Sequence, residues 1–220
     1  MTAPADESLQ QLLVLAIDVV EEAARTADRR PEALEIGTKA NRNDLVTAVD
    51  RRIEEVVAAR LAEATGYPML GEEGHTVDSF AGRVWVLDPI DGTMNYVSTH
   101  RDYAVSLALC EDGAPVVGVV ADVVGSHVYT AVRGEGARCD GEALAPVLDA
   151  DDYTDAIIIT DIKEILALPR LARCLEESRG HRRYGSAALE SVEIAAGRAG
   201  AFVHLWVSPW DVAAAAVICR

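Results

Sequence analysis

Residues 85–96 read WVLDPIDGTMNY and join an apolar run to two aspartates three residues apart. The run at 84–87 is apolar without a break, which predicts a strand that is buried on both faces. Pro89 cannot donate a backbone hydrogen bond to a ladder, so we expect the chain to turn there. The stretch therefore predicts a buried strand that ends at a functional or structural turn.

The predicted turn offers groups that suit both cations and phosphate. Asp88 and Asp91 supply carboxylates, Gly92 allows close approach by a ligand, and Thr93 is a good helix N-cap. Carboxylate oxygens are ligands that Mg²⁺ prefers, and backbone N–H groups at a helix start bind phosphate. A capped junction with solvated aspartates would show the same residues, so this stretch alone leaves both interpretations open.

The composition limits the classes of partner. The 220 residues include 20 basic and 36 acidic side chains, for a formal charge of −16. Such a surface repels nucleic acid and anionic membranes, so we expect neither as a partner. No apolar run approaches the length of about 18 residues that suggests a membrane span, and no signal peptide is visible. The four cysteines lack a Cys-x-x-Cys motif, which indicates reduced thiols and a cytoplasmic location.

Hydrophobic periodicity predicts intermixed helices and strands. An apolar stripe over 9–23 indicates a helix that Asp6 or Ser8 caps, and Thr47 with Asp50 resembles a capping box for a second helix. The later elements are predicted as strands at 103–110, 115–123, 127–133, 156–160 and 201–206, with helices at 169–177, at 185–198 and after Ser208. This order favours layered sheets and helices over a barrel.

Acidic residues recur where the predicted elements end, and binding residues commonly collect at such ends. They are Asp44, Glu72, Asp88, Asp91 and Asp211. Any one of them is more often a cap or a solvated charge, and Asp211 also suits the dipole at the first turn of a helix. Their common position makes a shared site the alternative to five separate caps.

Five motifs resemble those of the inositol monophosphatase family and follow in the family's order. The long signature Trp-x-x-Asp-Pro-x-Asp-Gly-Thr-x-Asn lies at 85–95, and the short motifs lie at 44–47, 71–73, 185–188 and 210–214. The resemblance implies an α+β fold, a layered αβαβα sandwich of the sugar-phosphatase type, with residues 1–220 as a single domain. Residues 1–150 would form the N-terminal helices and the antiparallel sheet with the metal site. Residues 151–220 would form the smaller C-terminal α/β part.

The resemblance also implies a chemistry, the Mg²⁺-dependent hydrolysis of a small phosphate monoester by metal-activated water. The substrate would be inositol-1-phosphate or a similar polyol or sugar phosphate. Two or three Mg²⁺ would be held by Glu72, Asp88, the carbonyl of Ile90, Asp91 and Asp211. Asp44, Thr93 and Glu72 would be the catalytic residues, with Asp44 and Thr93 orienting and deprotonating the water. Two such ions can stabilise both the attacking and the leaving oxygen.

The resemblance also implies which residues contact the substrate, on both sides of the metals. These residues are Asp91, Gly92, Thr93, Gly185, Ser186, Ala187, His204 and Asp211. Lys39 would lie near the site. His204 departs from the family, because inositol-specific members carry an acidic residue seven positions before the last metal aspartate. Histidinol phosphate and a 3′-phosphonucleotide are therefore alternative substrates.

The resemblance further implies a homodimer and inhibition by lithium. Family members continue beyond the position of Arg220, so we expect the C-terminal closing strands to be absent from these residues. The alternative of another class is a non-catalytic regulatory binding protein on the same fold.

Overall fold

The computed structural model describes residues 7–31, 36–38, 45–145 and 152–220. Within these ranges the helices are α1 (Leu9–Asp28), α2 (Ala48–Thr65), α3 (Thr93–Ser98), α4 (Ile162–Ala167), α5 (Pro169–Glu177), α6 (Ala187–Ala195) and α7 (Pro209–Ile218). In the same part of the chain, no helix is long and apolar enough to cross a membrane.

The strands form three sheets. They are β1 (Ile36–Thr38), β2 (Leu45–Thr47), β3 (Met69–Gly71), β4 (Arg83–Asp91), β5 (Ala104–Glu111), β6 (Ala114–Asp122), β7 (His127–Val132), β8 (Ala137–Cys139), β9 (Glu142–Ala143), β10 (Ile157–Ile159), β11 (Gly180–Arg182) and β12 (Ala201–Phe202). The large sheet has the order β3-β4-β5-β6-β7-β8-β9 and is antiparallel except for its β3–β4 pair. The small sheet is parallel with the order β11-β10-β12, and β1 pairs with β2.

Helices separate and cover the sheets. Helices α1 and α2 contact one face of the large sheet, whereas α6 and α7 pack on its other face. Helix α6 also contacts β12 of the small sheet, and α5 contacts β11. The layers therefore follow the order αβαβα, and the predicted α+β sandwich is confirmed.

Strand β4 is buried on both faces, as its apolar run predicts. Trp85 and Leu87 join the apolar cluster beneath α1 and α2, whereas Val86 joins the cluster beneath α6 and α7. On the α7 side, Gly118 of β6 lies so close to the backbone of Ala214 that a side chain there would clash. This close approach seats α7 directly on the large sheet.

The expectation that the chain leaves the strand at Pro89 is wrong. Strand β4 continues to Asp91, and its pairing with β5 shifts register between Asp88 and Asp91. Its other neighbour, β3, pairs only as far as Leu87, so the missing N–H of Pro89 lies beyond that ladder. A bulge therefore accommodates the proline without ending the strand.

Some of the other local predictions are confirmed and others are wrong. Ser8 and Thr47 cap α1 and α2 with capping boxes, as predicted. The N-cap predicted at Thr93 is wrong, because Gly92, with φ of 91°, caps α3 and Thr93 is its first residue. The strand predicted over 201–206 shortens to two residues, Ala201 and Phe202.

Candidate metal centre

Three of the predicted metal ligands meet in the structure. Asp88 and Asp91 lie at the bulged end of β4, and Asp211 lies in the first turn of α7. Their ligand oxygens all lie within 4.8 Å of one another. Asp88 and Asp91 are buried, while Asp211 is half-buried. The packing of α7 across the large sheet thus brings Asp211 to Asp88 and Asp91.

Glu72 joins this group from the neighbouring strand. It follows β3, whose Gly71 pairs with Leu87 immediately before Asp88. Burial raises the pKa of Asp88 well above its usual range, and repulsion from Glu72, Asp91 and Asp211 raises it further. A cation among these carboxylates would relieve that repulsion, and an all-oxygen donor set fits a hard ion such as Mg²⁺.

Asp91 is held by the N-terminus of α6. Its Oδ2 accepts hydrogen bonds from the Ser186 hydroxyl at 2.5 Å and the Ala188 N–H at 2.6 Å, and its Oδ1 accepts one from Ala187 at 3.2 Å. Burial raises the pKa of Asp91 to about 7, although these hydrogen bonds oppose the rise. The orientation of this carboxylate is therefore fixed by protein groups.

Asp211 also stabilises the first turn of its helix, which is the structural role that the sequence left open for it. One of its oxygens accepts a hydrogen bond from the Ser208 N–H at 2.6 Å and completes a capping box on α7. The cap and the acidic cluster coexist because a carboxylate has two oxygens with several acceptor positions.

Thr93 and Ile90 form the next part of the site. The Thr93 hydroxyl lies 3.0 Å from the Ile90 carbonyl oxygen and 3.4 Å from Oδ1 of Asp50, and can donate to either. The other oxygen of Asp50 accepts a hydrogen bond from the Thr47 N–H at 2.9 Å. Asp50 therefore faces the site while it caps α2, and burial raises its pKa.

Sequence reasoning assigned Asp50 to the cap and missed its contact with Thr93. A signal for the second role was present, because Asp50 shares the buried face of α2 with Ile53, Val57 and Leu61. An acid on such a face is rarely buried without a partner. The predicted residues Asp44 and Lys39 lie outside the described residues.

The predicted substrate loop is joined firmly to the centre. The Asn95 amide donates to the carbonyls of Asp102 at 2.8 Å and Tyr184 at 2.6 Å. The buried carboxylate of Glu190 accepts from the N–H groups of Tyr184 at 2.6 Å and Gly185 at 2.9 Å. Gly185, with Ser186 and Ala187 after it, thus reaches the start of α6 with a fixed backbone.

His204 lies in the loop between β12 and α7. Its Nδ1 accepts a hydrogen bond from the Trp206 N–H at 3.2 Å and lies 3.4 Å from Oε1 of the buried Glu164. Oε1 of Glu164 also accepts from the Leu205 N–H at 3.2 Å. These contacts hold the imidazole from its Nδ1 side and leave Nε2 for another partner.

The model of the inositol monophosphatase family matches residues 4–220. The chain belongs to this family. It is 40% identical over 205 residues to inositol-1-monophosphatase of Bacillus subtilis (strain 168), which covers 90% of this chain and 77% of that relative. Inositol monophosphatase-II from Staphylococcus aureus MSSA476 has a similar crystal structure, with a TM-score of 0.84 and 35% identity over 95% of this chain and 80% of that one. The chain is therefore a phosphatase, a phosphoric monoester hydrolase of this family.

Related proteins have been described with several ligands. An IMPase/NADP phosphatase complexed with NADP and Ca²⁺ has a TM-score of 0.88 and 30% identity over 97% of this chain and 82% of that one. Other solved relatives are IMPase-II bound to inositol monophosphate, IMPase-II bound to 2′-AMP, and a lithium-inhibited Staphylococcal enzyme. A relative from Xylella fastidiosa, 32% identical over 93% of this chain and 78% of its own length, is named Nus factor SuhB.

Proposed function

We propose that this phosphatase hydrolyses a small phosphate monoester, inositol-1-phosphate or a similar polyol or sugar phosphate, in a Mg²⁺-dependent reaction. The observation that carries the proposal is the meeting of Asp88, Asp91 and Asp211 within 4.8 Å. These three, with Glu72 and the carbonyl of Ile90, would hold two or three Mg²⁺. When bound, the metal supplies charge neutralisation at the phosphate and a more acidic water.

The chain's own groups position the reactants. We assign the orientation of the attacking water to the Thr93 hydroxyl and the acceptance of its proton to Asp50, which lies 3.4 Å from that hydroxyl. The raised pKa of Asp50 favours this role, because a base works best when its pKa is near the operating pH. Glu72 remains a catalytic residue of the proposal, and Asp44 remains the alternative base that the resemblance implies.

Substrate orientation is assigned to the two helix starts beside the acids. The backbone N–H groups of Gly92 and Thr93 would hold the phosphate, and Asp91 and Asp211 would hold the metal beside it. Gly185, Ser186 and Ala187 would line the side toward the alcohol, because Ser186 contacts Asp91 directly. Helix starts suit such anions because their N–H groups point at the ligand.

His204 supports a second candidate substrate, a phosphonucleotide or histidinol phosphate. Its Nδ1 lies near both the Trp206 N–H and Oε1 of Glu164, and in the tautomer that accepts from Trp206 its Nε2 presents a donor. A carboxylate at the same position would present only acceptors. The related enzymes in complex with NADP and 2′-AMP show that this fold admits nucleotides in those proteins.

The test is phosphate release from a panel of monoesters with Mg²⁺, with Ca²⁺ and with chelator. The panel comprises inositol-1-phosphate, sugar phosphates, histidinol phosphate, 2′-AMP, 3′-phosphonucleotides and NADP. We expect release that requires Mg²⁺ and that Asp88→Asn abolishes, while Asp78→Asn, at an exposed aspartate, leaves it unchanged. Equal release in chelator would contradict the proposal. A His204→Ala variant that changes the ranking of substrates would support its role in specificity.

A regulatory binding role is a second candidate from another class, favoured by the relative named Nus factor SuhB. Calorimetry that shows no binding of Mg²⁺ or phosphate, together with a specific protein partner, would favour the regulatory role. We further propose a homodimer and inhibition by lithium. Sedimentation at two concentrations tests the first, and a Li⁺ titration at fixed Mg²⁺ tests the second.

A further inference from the structure

A second group of metal-binding side chains lies on the large sheet, away from the acids of β4. His127 begins β7, Cys139 ends β8, and Asp140 follows in the adjoining turn. We propose that these three residues form a Zn²⁺ site that is separate from the phosphatase centre and joins β7 to β8.

The distances among the donor atoms suit a tetrahedral ion. All three donors lie within 4.8 Å of one another, and the Cys139 Sγ is 3.7 Å from Oδ2 of Asp140. Bonds of about 2.0 to 2.3 Å to zinc imply donor–donor separations of about 3.3 to 3.7 Å in a tetrahedron. The His127 Nδ1 lies 2.7 Å from the same oxygen. That pair must open by about half an ångström when zinc replaces the proton between them.

The ligands are held in place by the sheet. Oδ1 of Asp140 accepts a hydrogen bond from the Val128 N–H at 2.8 Å, and the Asp140 N–H donates to the Val128 carbonyl at 2.9 Å. Cys139 pairs in register with Tyr129 of β7. The second oxygen of the carboxylate therefore remains directed at His127, and the site needs little rearrangement.

Groups behind the ligands support the same arrangement. The Tyr129 hydroxyl contacts the Cys139 thiol and accepts a hydrogen bond from Arg198 at 3.1 Å. Metal-binding proteins use such supporting contacts to orient their ligands.

The donor set selects the metal. A thiolate, an imidazole and a carboxylate suit Zn²⁺, whereas Mg²⁺ prefers oxygen ligands throughout. His127 and Asp140 are 52% and 47% exposed, so the ion can enter and water can take the fourth position. Without metal, His127 and Asp140 are joined by a hydrogen bond beside the Cys139 thiol, and the experiment must distinguish this arrangement from the metal-bound one.

The test uses Co²⁺ as a spectroscopic probe for the zinc site in the full chain. Titration of chelator-treated protein should produce a thiolate-to-cobalt charge-transfer band that saturates with added Co²⁺ and disappears on addition of Zn²⁺. Cys139→Ser should abolish the band, and His127→Gln should weaken binding by more than about tenfold. Cys174→Ser, at a cysteine on α5, is the matched control and should retain it.

The phosphatase centre contributes only oxygen ligands and cannot give this band. An Asp88→Asn variant should therefore retain the band even if it loses phosphatase activity, which separates the zinc site from the proposed function. Absence of the band at saturating Co²⁺ would overturn the proposal. Persistence of the band in Cys139→Ser, or its loss in Cys174→Ser, would do so as well.

Discussion

Asp50 shows at the scale of one residue how a cap and a site can share a side chain. One carboxylate oxygen accepts from the Thr47 N–H, and the other lies 3.4 Å from the Thr93 hydroxyl. The cap fixes the carboxylate, and the fixed carboxylate orients the hydroxyl. The capping box therefore also places a carboxylate oxygen beside the Thr93 hydroxyl, which a helix cap alone would not require.

The pair Asp50 and Thr93 should act as one unit in catalysis. We expect Asp50→Asn and Thr93→Ala each to lower kcat by about 10²- to 10⁴-fold, the usual contribution of a positioned base. The double variant should cost no more than the larger single loss, because either change breaks the same unit. Steady-state kinetics of the three variants at saturating Mg²⁺ check this. Multiplicative losses would show that the two residues act independently.

The raised pKa values of Asp88 and Asp91 predict how the stability of the metal-free protein depends on pH. Burial raises the pKa of Asp91 from 3.8 to about 7, and burial with repulsion raises that of Asp88. The folded metal-free protein then binds protons more tightly than the unfolded chain, so its stability falls as pH rises from about 4 to about 7. In chelator at pH 7, Asp88→Asn should raise the free energy of unfolding by about 1 to 2 kcal/mol.

Thermal unfolding at several pH values with chelator, and again with Mg²⁺, measures this effect. Mg²⁺ should stabilise the wild-type chain and should no longer stabilise Asp88→Asn, because the ion then lacks a ligand. The exposed control Asp78→Asn should behave as wild type. A variant that is less stable than wild type in chelator would contradict the proposed repulsion.

At the scale of elements, α2 organises two parts of the site. Asp50 faces Thr93, and one turn later the buried carboxylate of Glu54 accepts from the N–H groups of Glu73 at 2.7 Å and His75 at 3.0 Å. Glu54 also lies 2.9 Å from Nδ1 of His75. Helix α2 therefore holds the loop that carries Glu72 beside the end of β4.

Glu54 should accordingly act as a positioning residue. Glu54→Gln replaces one acceptor oxygen by an NH₂ group that faces backbone N–H donors, so the loop at 72–75 should shift. We expect the apparent affinity for Mg²⁺ to fall by about 10- to 100-fold, with a smaller change in kcat at saturating metal. The neighbouring Glu55→Gln, at an exposed position, is the control. If Glu54→Gln and Glu55→Gln lowered the apparent Mg²⁺ affinity equally, the positioning role of Glu54 would be ruled out.

At the scale of the whole molecule, residues 151–220 supply helices and site residues that pack on the large sheet of residues 1–150. Helices α6 and α7 come from residues 151–220 and cover the large sheet of residues 1–150. Asp211 and Ser186 reach the metal centre through the same packing. The single domain predicted over 1–220 follows as a proposal from this shared core.

Cooperative unfolding tests that proposal. Because one apolar cluster contains residues of both parts, we expect one calorimetric transition whose van't Hoff and calorimetric enthalpies agree. Mg²⁺ should move this whole transition to higher temperature, since its ligands come from both parts. Two transitions, of which only one responds to Mg²⁺, would contradict a single domain.

Local chemistry made much of the fold predictable, together with the three aspartates that meet in the structure. The caps at Ser8 and Thr47 and the signature at 85–95 depend on residues close together in the chain. Short-range hydrogen bonds and hydrophobic periodicity determine such features before any tertiary contact forms. The sequence by itself therefore determined the family, the layered α+β fold and the carboxylates available for metal.

Only the tertiary structure decided how distant groups meet. Thr93 contacts Asp50 across 43 positions of sequence, and the bulge between Asp88 and Asp91 depends on how β4 pairs with β5. The same holds for Cys139 and His127, which antiparallel pairing of β7 and β8 brings together. These contacts follow from how whole elements pack and from the register of paired strands. Hydrophobic periodicity does not specify either property, because each depends on two segments that are distant in the sequence.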